Sequence, residues 1–138
     1  MKKIISLLAL CCCAMIIVAA ENVKVGAEQT KQYLPLLKGK RVALLSNHTG
    51  IVIQGKDTIH TLDLLLQHGV EVTAIFSPEH GFRGTAREGE HVASSVDEKT
   101  GIPILSLYDG DSKYPSKESM GMFDVLVTDI QDVGLRFY

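Results

Sequence analysis

Cysteine is scarce in this chain, and its three cysteines, Cys11 to Cys13, all lie in one apolar run near the amino terminus. That run, Ile4 to Val18, follows two lysines and contains no charged residue. It is about 15 residues long, shorter than the roughly 20 that span a bilayer. The pattern predicts a signal peptide over residues 1–20. Its removal would leave a chain with neither disulfides nor thiolate metal ligands.

Two other outcomes for this segment stay open. A retained signal anchor is disfavoured because the apolar run is short and ends in small residues, Ala19 and Ala20. A lipid anchor would want a small residue before the modified cysteine, whereas Leu10 precedes Cys11. We therefore expect an exported protein, periplasmic or extracellular, with no stable membrane span after signal removal.

The chain also lacks an excess of basic residues: 14 Lys and Arg stand against 16 Asp and Glu, a formal net charge of −2. It contains no basic stripe, so nucleic acid is not expected as a partner, because phosphate neutralisation needs clustered Lys and Arg. Internal repeats and low-complexity tracts are absent. Beyond the signal we expect a lead-in segment over residues 21–32 and one domain, with its own core, over residues 33–138.

Short apolar runs of strand length recur along this domain. Arg41 to Ser46 is apolar without alternation, which indicates a strand buried on both faces, as in a parallel sheet. Three further strands are predicted at Val70 to Phe76, Ile102 to Tyr108 and Phe123 to Asp129. The intervening residues 47–55 are predicted to form a loop.

Helical patterns separate these strands. Thr58 can cap a helix that runs to about His68, and Gly69 suits the position after its end. Ser116 can cap a brief helix through Met122. Alternating strands and helices predict an α/β fold with a mostly parallel sheet and a Rossmann-like or flavodoxin-like layering.

Several familiar catalytic motifs are missing. No G-x-G-x-x-G follows a strand and there is no P-loop, so a nucleotide site is not supported and no cofactor is expected. The serines lack the G-x-S-x-G pattern of a nucleophile elbow. The spacing of the histidines, Glu79 and Asp129 matches no common zinc pattern, so no metal site is expected.

Polar residues follow the predicted strands, where open parallel sheets bind their ligands. Asn47 follows the first strand, Glu79, His80 and Arg83 follow the second, and Asp129, Gln131 and Asp132 end or follow the fourth. Each has an ordinary structural alternative. Asn47 could cap its loop, Asp129 could form an Asx turn or helix cap, and Arg83 or Arg136 could form a surface ion pair.

Glu79 follows Pro78, which stiffens the loop, and precedes Gly81, which allows close approach to a ligand. A carboxyl group in a partly desolvated cleft has a raised pKa and can act as a general acid, as sugar hydrolysis requires. The alternative, a carboxylate paired with Arg83 or Arg87, is equally compatible with the spacing.

At these residues the chain resembles the NamZ exo-β-N-acetylmuramidases. The resemblance runs from about Tyr33 to Tyr138 and rests on RVALLSNHTGI, IFSPEHGFRGTAREGE, TGIPILSLY and DVLVTDIQDVGLRFY. It implies release of terminal, non-reducing N-acetylmuramic acid from peptidoglycan fragments. It also implies a Rossmann-like domain that faces a smaller C-terminal domain across the active-site cleft.

Carried over to the matching positions, the resemblance implies that Glu79 is the catalytic acid. It implies that the cleft is lined by Asn47, His80, Arg83, Asp129, Gln131, Asp132 and Arg136. The lactyl carboxylate of muramic acid would suit Arg83 or Arg136. The second catalytic group stays open: the substrate's own acetamide, oriented by Asp129, or another carboxylate. Family members continue past Tyr138, so we expect a chain truncated before the second domain, which alone could bind sugar without hydrolysing it.

Overall fold

The structure is a computed structural model that describes residues 24–78, 82–83, 94–107 and 114–131. The predicted signal peptide lies outside these described residues. Within them, no helix is long and apolar enough to cross a membrane.

The described residues form seven strands and three α-helices around one central sheet. In chain order the strands are β1 (Arg41–Ser46), β2 (Ile51–Gln54), β3 (Asp57–His60), β4 (Glu71–Ser77), β5 (Ser95–Val96), β6 (Pro103–Ser106) and β7 (Val125–Asp129). The helices are α1 (Thr30–Leu37), α2 (Thr61–Gln67) and α3 (Lys117–Met120), and a 3-10 turn at Gly26–Glu28 precedes α1.

The central sheet has the order β5-β6-β4-β1-β7, in which β5 alone is antiparallel to its neighbour. Counted along the chain, the four parallel strands therefore lie in the order 3-2-1-4, as in the Rossmann sheet. This confirms the predicted α/β fold with a mostly parallel sheet. The chain turns to one side of β1 for β4 and β6 and returns to the other side for β7.

Both faces of β1 are covered, as its unbroken apolar run predicted. Val42 and Leu44 are fully buried on the face that α1 and α2 cover, where they pack with Leu37, Leu62 and Leu65. This larger core also contains Val72, Ile75, Phe82, Ile102 and Ile104.

The opposite face of the sheet holds a smaller core. Ala43, Ala74 and Phe76 are buried there, and Met122 and Phe123 pack against them. The rings of Phe76 and Phe123 meet edge to face, with centroids 5.7 Å apart. The strand burial on two faces thus follows from helices on one side and from the segment after α3 on the other.

The prediction of a loop over residues 47–55 was wrong in its second half. Ile51–Gln54 pairs antiparallel with Asp57–His60, and the hairpin turns at Gly55, whose φ is 66°. Val52 is 3% exposed, whereas Ile51 and Ile53 point outward and are at least half exposed. Apolar residues on both sides of a short strand conceal the alternation that normally reveals a half-buried strand.

Helix α2 begins later than predicted. Thr58 lies in β3, and the N-cap is His60, whose side chain accepts a hydrogen bond from the Leu62 amide. The end of the helix was predicted correctly. Gly69 has a φ of 71°, and the amides of Gly69 and Val70 donate to the carbonyls of Leu66 and Leu65. This is a Schellman motif, which satisfies the last carbonyls of the helix.

Two smaller elements also differ from the sequence-based expectation. Helix α1 spans both sides of the division drawn between residues 32 and 33, and its Leu37 is 5% exposed in the main core. Strand β5, two residues long, was not predicted at all because so short a run has no measurable periodicity. The brief helix α3 is capped by Ser116 as expected, since its hydroxyl accepts from the Ser119 amide.

Candidate functional site

The carboxyl ends of β1 and β7 lie side by side and form what we call the β1–β7 rim, residues 46–50 and 129–131. Ser46 pairs with Asp129 in the parallel ladder. The Ser46 hydroxyl, fully buried, donates to the Asp129 carbonyl over 2.8 Å. Because the chain leaves β1 in one direction and reaches β7 from the other, this rim is the switch point where such sheets bind ligands.

The Asp129 carboxylate is fixed by the start of helix α2. Its Oδ2 accepts a hydrogen bond from the hydroxyl of Thr61, which is 2% exposed and is the first residue of α2. The Thr61 amide in turn donates to the Gly50 carbonyl over 2.9 Å. Strand β7, helix α2 and the loop after β1 therefore meet at one carboxylate.

Gly50 makes this close approach possible. A Cβ on this residue would clash with Ser46 Oγ and lie 3.1 Å from both the carbonyl oxygen and Oδ2 of Asp129. The absence of a side chain at position 50 is thus a packing requirement of the β1–β7 rim.

Asn47 makes the loop-capping contacts that were the structural alternative to ligand binding. Its side-chain oxygen accepts from the Thr49 amide at 2.9 Å and from the Thr49 hydroxyl at 2.7 Å. Its carbonyl accepts from the Gly50 amide and from His60 Nε2. With the oxygen committed to the loop, the amide NH₂ is the part of this side chain suited to a ligand.

His60 contacts three separate segments of the chain, although the sequence analysis gave it no role. Its Nδ1 accepts from the Leu62 amide at 3.1 Å, and its Nε2 lies 2.9 Å from the Asn47 carbonyl. An acceptor at Nδ1 and a donor at Nε2 define the neutral Nε2–H form. The ring also meets Phe82 edge to face at 4.8 Å. Burial, helped by the charge of Arg83, lowers the pKa of His60 and favours that neutral form.

Arg83 is engaged in an ion pair inside the same region. Its Nε and Nη2 donate to Oδ1 of Asp97 at 3.1 and 2.8 Å, and its guanidinium lies 4.7 Å from the centre of the Phe82 ring. The Asp97 side chain is 4% exposed and also accepts from Thr100 Oγ1 at 2.7 Å.

The charge of Asp97 is secured by these contacts. Burial alone would raise its pKa, but the hydrogen bonds from Thr100 and Arg83 outweigh burial and lower it. Arg83 thus takes the ion-pair role that the sequence left as its alternative. Asp97 gave no signal in the sequence because its partner is 14 residues away along the chain.

A pocket of about 460 Å³ opens beside Asp129. Its polar lining includes Tyr33, Thr49, Thr61, Asp129 and Gln131, and its apolar lining includes Val25, Ile51, Val127 and Ile130. Burial and the nearby charge of Asp129 raise the pKa of Tyr33, whose hydroxyl donates to the Ala27 carbonyl at 2.9 Å. A mixed lining of this kind suits a ligand with both hydroxyl and methyl groups.

Comparison with known proteins decides the family. Residues 42–138 match the family described as exo-beta-N-acetylmuramidase NamZ, N-terminal. The chain belongs to the NamZ N-terminal domain family. It is 46% identical over 107 residues to the peptidoglycan beta-N-acetylmuramidase NamZ of Bacillus subtilis (strain 168), a match that covers 77% of this chain and 25% of that protein.

Two crystal structures of NamZ-related proteins show the same fold. Both are DUF1343 family proteins from Bacteroides fragilis NCTC 9343. One is 53% identical with a TM-score of 0.66 and covers 86% of this chain and 28% of its own. The other is 39% identical with a TM-score of 0.67 and covers 80% and 27%. The chain thus spans about a quarter of the length of these NamZ relatives.

Four of the eight predicted site residues fall in the described part of this NamZ-family chain. Asp129 and Gln131 line the pocket, Asn47 lies across the β1–β7 rim from Asp129, and Arg83 is paired with Asp97. The other four, Glu79, His80, Asp132 and Arg136, lie outside the described residues. Strand β4, a parallel neighbour of β1, ends at Ser77, two positions before Glu79 in the chain.

No metal centre is evident in the part of the chain that the structure describes, where no three His, Cys, Asp or Glu side chains cluster closely enough to hold an ion.

Proposed function

We propose that this chain is the sugar-binding part of a glycoside hydrolase that releases terminal, non-reducing N-acetylmuramic acid from peptidoglycan fragments. Membership of the NamZ family is the observation that carries the proposal. The relative from Bacillus subtilis is named as a peptidoglycan beta-N-acetylmuramidase. Because this chain spans 25% of that relative, its own activity is part of the proposal.

The β1–β7 rim supports a sugar ligand on chemical grounds. Asp129 can accept from a sugar hydroxyl or from the N–H of an acetamido group, and the Asn47 amide can donate to an acetamido oxygen. The apolar lining beside them, which includes Ile51 and Val127, suits the methyl groups of the acetyl and lactyl substituents. These groups match an N-acetylated amino sugar better than an unmodified hexose.

In the proposed mechanism Glu79 protonates the leaving oxygen of the glycosidic bond. Asp129, fixed by Thr61, orients the acetamide of the substrate, which attacks the anomeric carbon in a substrate-assisted step. The lactyl carboxylate binds an arginine, for which Arg136 is the better candidate. Two nitrogens of Arg83 already donate to Asp97, so Arg83 has fewer donors left for the lactyl carboxylate.

A second candidate is a non-catalytic module that binds cell-wall amino sugar. It is favoured by the mixed polar and apolar lining of the pocket beside Asp129, which suits binding of an amino sugar and does not itself require a catalytic acid. Either way we propose that the protein is exported and acts in the cell envelope, where peptidoglycan is found.

One experiment separates the two candidates. The chain is titrated calorimetrically with N-acetylmuramic acid, and a chromogenic N-acetylmuramide is assayed for release in parallel. Binding together with release supports the hydrolase, and binding without release supports the module. If N-acetylmuramic acid binds no better than glucose, both candidates are wrong.

A further inference from the structure

We propose that His60, in its uncharged Nε2–H form, is a positioning residue that sets the geometry of the β1–β7 rim. The inference rests on the proposed function in one respect only: the rim is taken to bind the amino sugar. His60 itself touches no predicted ligand group and acts through Asn47 and Thr61.

The first argument is the set of bonds that the imidazole makes. Nδ1 accepts from the Leu62 amide and so caps α2, while Nε2 donates to the Asn47 carbonyl. The two nitrogens thus connect the loop after β1 to the first turn of α2. A cap of this kind satisfies one of the free amides at the start of a helix.

The second argument is where those bonds lead. The residue between the cap and Leu62 is Thr61, whose hydroxyl holds the Asp129 carboxylate. The carbonyl bonded to Nε2 belongs to Asn47, which is itself a residue of the β1–β7 rim. One ring therefore fixes both of the described polar groups that we assign to the sugar.

The third argument is the packing of the ring. The imidazole and the Phe82 ring meet edge to face, Phe82 is 3% exposed, and the Arg83 guanidinium lies over the Phe82 ring. His60 is thus also in contact with Phe82, five positions after the end of β4 at Ser77. Rotation of the imidazole away from its two partners would disturb this contact with Phe82.

Protonation would break this arrangement at a defined point. A second proton would occupy Nδ1 and point towards the N–H of Leu62. Two hydrogen-bond donors would then face each other, and the helix cap would be lost. The charged groups around the ring have opposite effects on the pKa of His60. Arg83 lowers this pKa, while Asp63 and Asp129 raise it. Asp63 is itself bound by Lys99 at 2.8 Å, which reduces its influence.

The test begins with nuclear magnetic resonance of the full chain labelled with ¹⁵N-histidine. The chain has five histidines, and His60 is assigned as the signal that disappears in His60→Asn. We expect the Nε2–H form at neutral pH and a midpoint below the ordinary value for histidine. The backbone amides of Asn47, Thr61 and Leu62 should shift with that same midpoint. A proton on Nδ1 at neutral pH, or amides that ignore the His60 titration, would overturn the inference.

The second arm measures N-acetylmuramic acid binding from pH 8 to pH 5 in matched variants. Binding to the unmodified chain should weaken as His60 takes up its proton. His60→Ala should bind about tenfold more weakly at every pH, since the cap and the bond to Asn47 are both lost. His60→Asn retains a cap acceptor but cannot take up a proton, so its loss should be smaller and its step with pH absent.

The control is His68→Asn, at the exposed far end of the same helix. It should keep the full pH dependence, and loss of that dependence would contradict the role of His60. Failure of the proposed function is distinguishable: no sugar binding at any pH, together with coupled amide shifts, contradicts the sugar and supports the positioning role. Sugar binding with a step that persists in His60→Asn contradicts the positioning role alone.

Discussion

Asp129 is held through its backbone and its side chain at the same time. Ser46 donates to its carbonyl, Thr61 donates to its carboxylate, and Gly50 leaves the space that both bonds require. The orientation of the carboxylate is therefore set by residues from three separate elements. The orientation of such a carboxylate is sensitive to substitutions in the neighbours that hold it.

Gly50→Ala tests this packing directly. The added methyl group would clash with Ser46 Oγ, so the loop or the strand end must shift. We expect the free energy of unfolding in urea to fall by about 1–3 kcal/mol, the usual cost of overpacking. The matched control is Gly26→Ala, where a Cβ meets nothing within 4 Å. Equal unfolding free energies for the two variants would show that the rim tolerates a side chain at position 50.

Glu79→Gln tests the assignment of the general acid. Glutamine preserves the size and removes the transferable proton, so turnover of a chromogenic N-acetylmuramide should fall by about a hundredfold or more. Sugar affinity should change much less, because the proton is needed in the transition state and not for binding.

Glu71→Gln is the control for this variant. Glu71 is exposed and lies at the amino end of β4. Glu79 follows the carboxyl end of the same strand, Ser77, in the chain. The turnover of Glu71→Gln should equal that of the unmodified chain. Undiminished release of sugar by Glu79→Gln would remove Glu79 from the catalytic role.

At the scale of elements, helix α2 depends on its two ends. It has seven residues, too few to be stable alone, so the His60 cap and the Schellman motif at Gly69 both matter. Gly69→Ala would force a Cβ into the left-handed region, where φ is 71°. We expect a loss of about 1–2 kcal/mol in the free energy of unfolding.

Gly69→Asn separates the strain of the left-handed backbone conformation from the effect of adding any side chain at position 69. Asparagine tolerates the left-handed conformation better than alanine, so its loss should be clearly smaller. Urea denaturation of both variants gives the comparison. An asparagine variant as unstable as the alanine variant would argue against the backbone as the cause.

The elements that the sequence predicted are those whose signal is local. The middle of β1, Val42 to Leu45, is apolar at every position, consistent with cover from α2 on one face and Phe123 on the other, and that run alone identifies a buried strand. The hairpin β2–β3 was missed since its outward residues, Ile51 and Ile53, are also apolar. Its best signal was Gly55 followed by Lys56 between two short β-branched runs, a typical two-residue hairpin turn.

The candidate site divides in the same way. Asn47 and Asp129 were predicted because parallel strands end at a common edge. Thr61, which fixes Asp129, was not predicted, because the two residues are 68 positions apart and no local pattern connects them. His60 is not a preferred cap residue, so the start of α2 was assigned to Thr58, which has the usual chemistry for that position.

At the scale of the whole molecule, opposite charges hold together the amino ends of the neighbouring parallel strands β1 and β7. Arg41 at the start of β1 donates to Asp124, just before β7, with a shortest contact of 2.7 Å. The hydrogen bonds from the Arg41 side chain and amide lower the pKa of Asp124 to about 2. Asp97, paired with Arg83, also has a lowered pKa.

These carboxyl groups predict how stability depends on pH. A lowered pKa in the folded state means that the unfolded chain binds more protons in acid, so folding is favoured less as pH falls. The contribution of Asp124 should be complete above about pH 4, the ordinary range for aspartate, and lost as pH falls towards about 2. Urea denaturation between pH 7 and pH 2 measures this decline.

Asp124→Asn provides the comparison. It should be less stable than the unmodified chain at pH 7 and should lose less stability between pH 4 and pH 2, because one titrating group is gone. Asp57→Asn, at the exposed tip of the hairpin, should follow the unmodified chain. Parallel curves for Asp124→Asn and the unmodified chain would exclude Asp124 as a source of the acid sensitivity.

The pairing of Ser46 with Asp129 joins positions 83 residues apart, and this separation has a consequence in time. A ribosome that adds about 5–20 residues per second completes Asp129 roughly 4–17 s after Ser46. During that interval the nascent polypeptide has β1 without its β7 neighbour and an asparagine without the opposing carboxylate. Newly made chains therefore cannot form the β1–β7 rim until synthesis has passed β7.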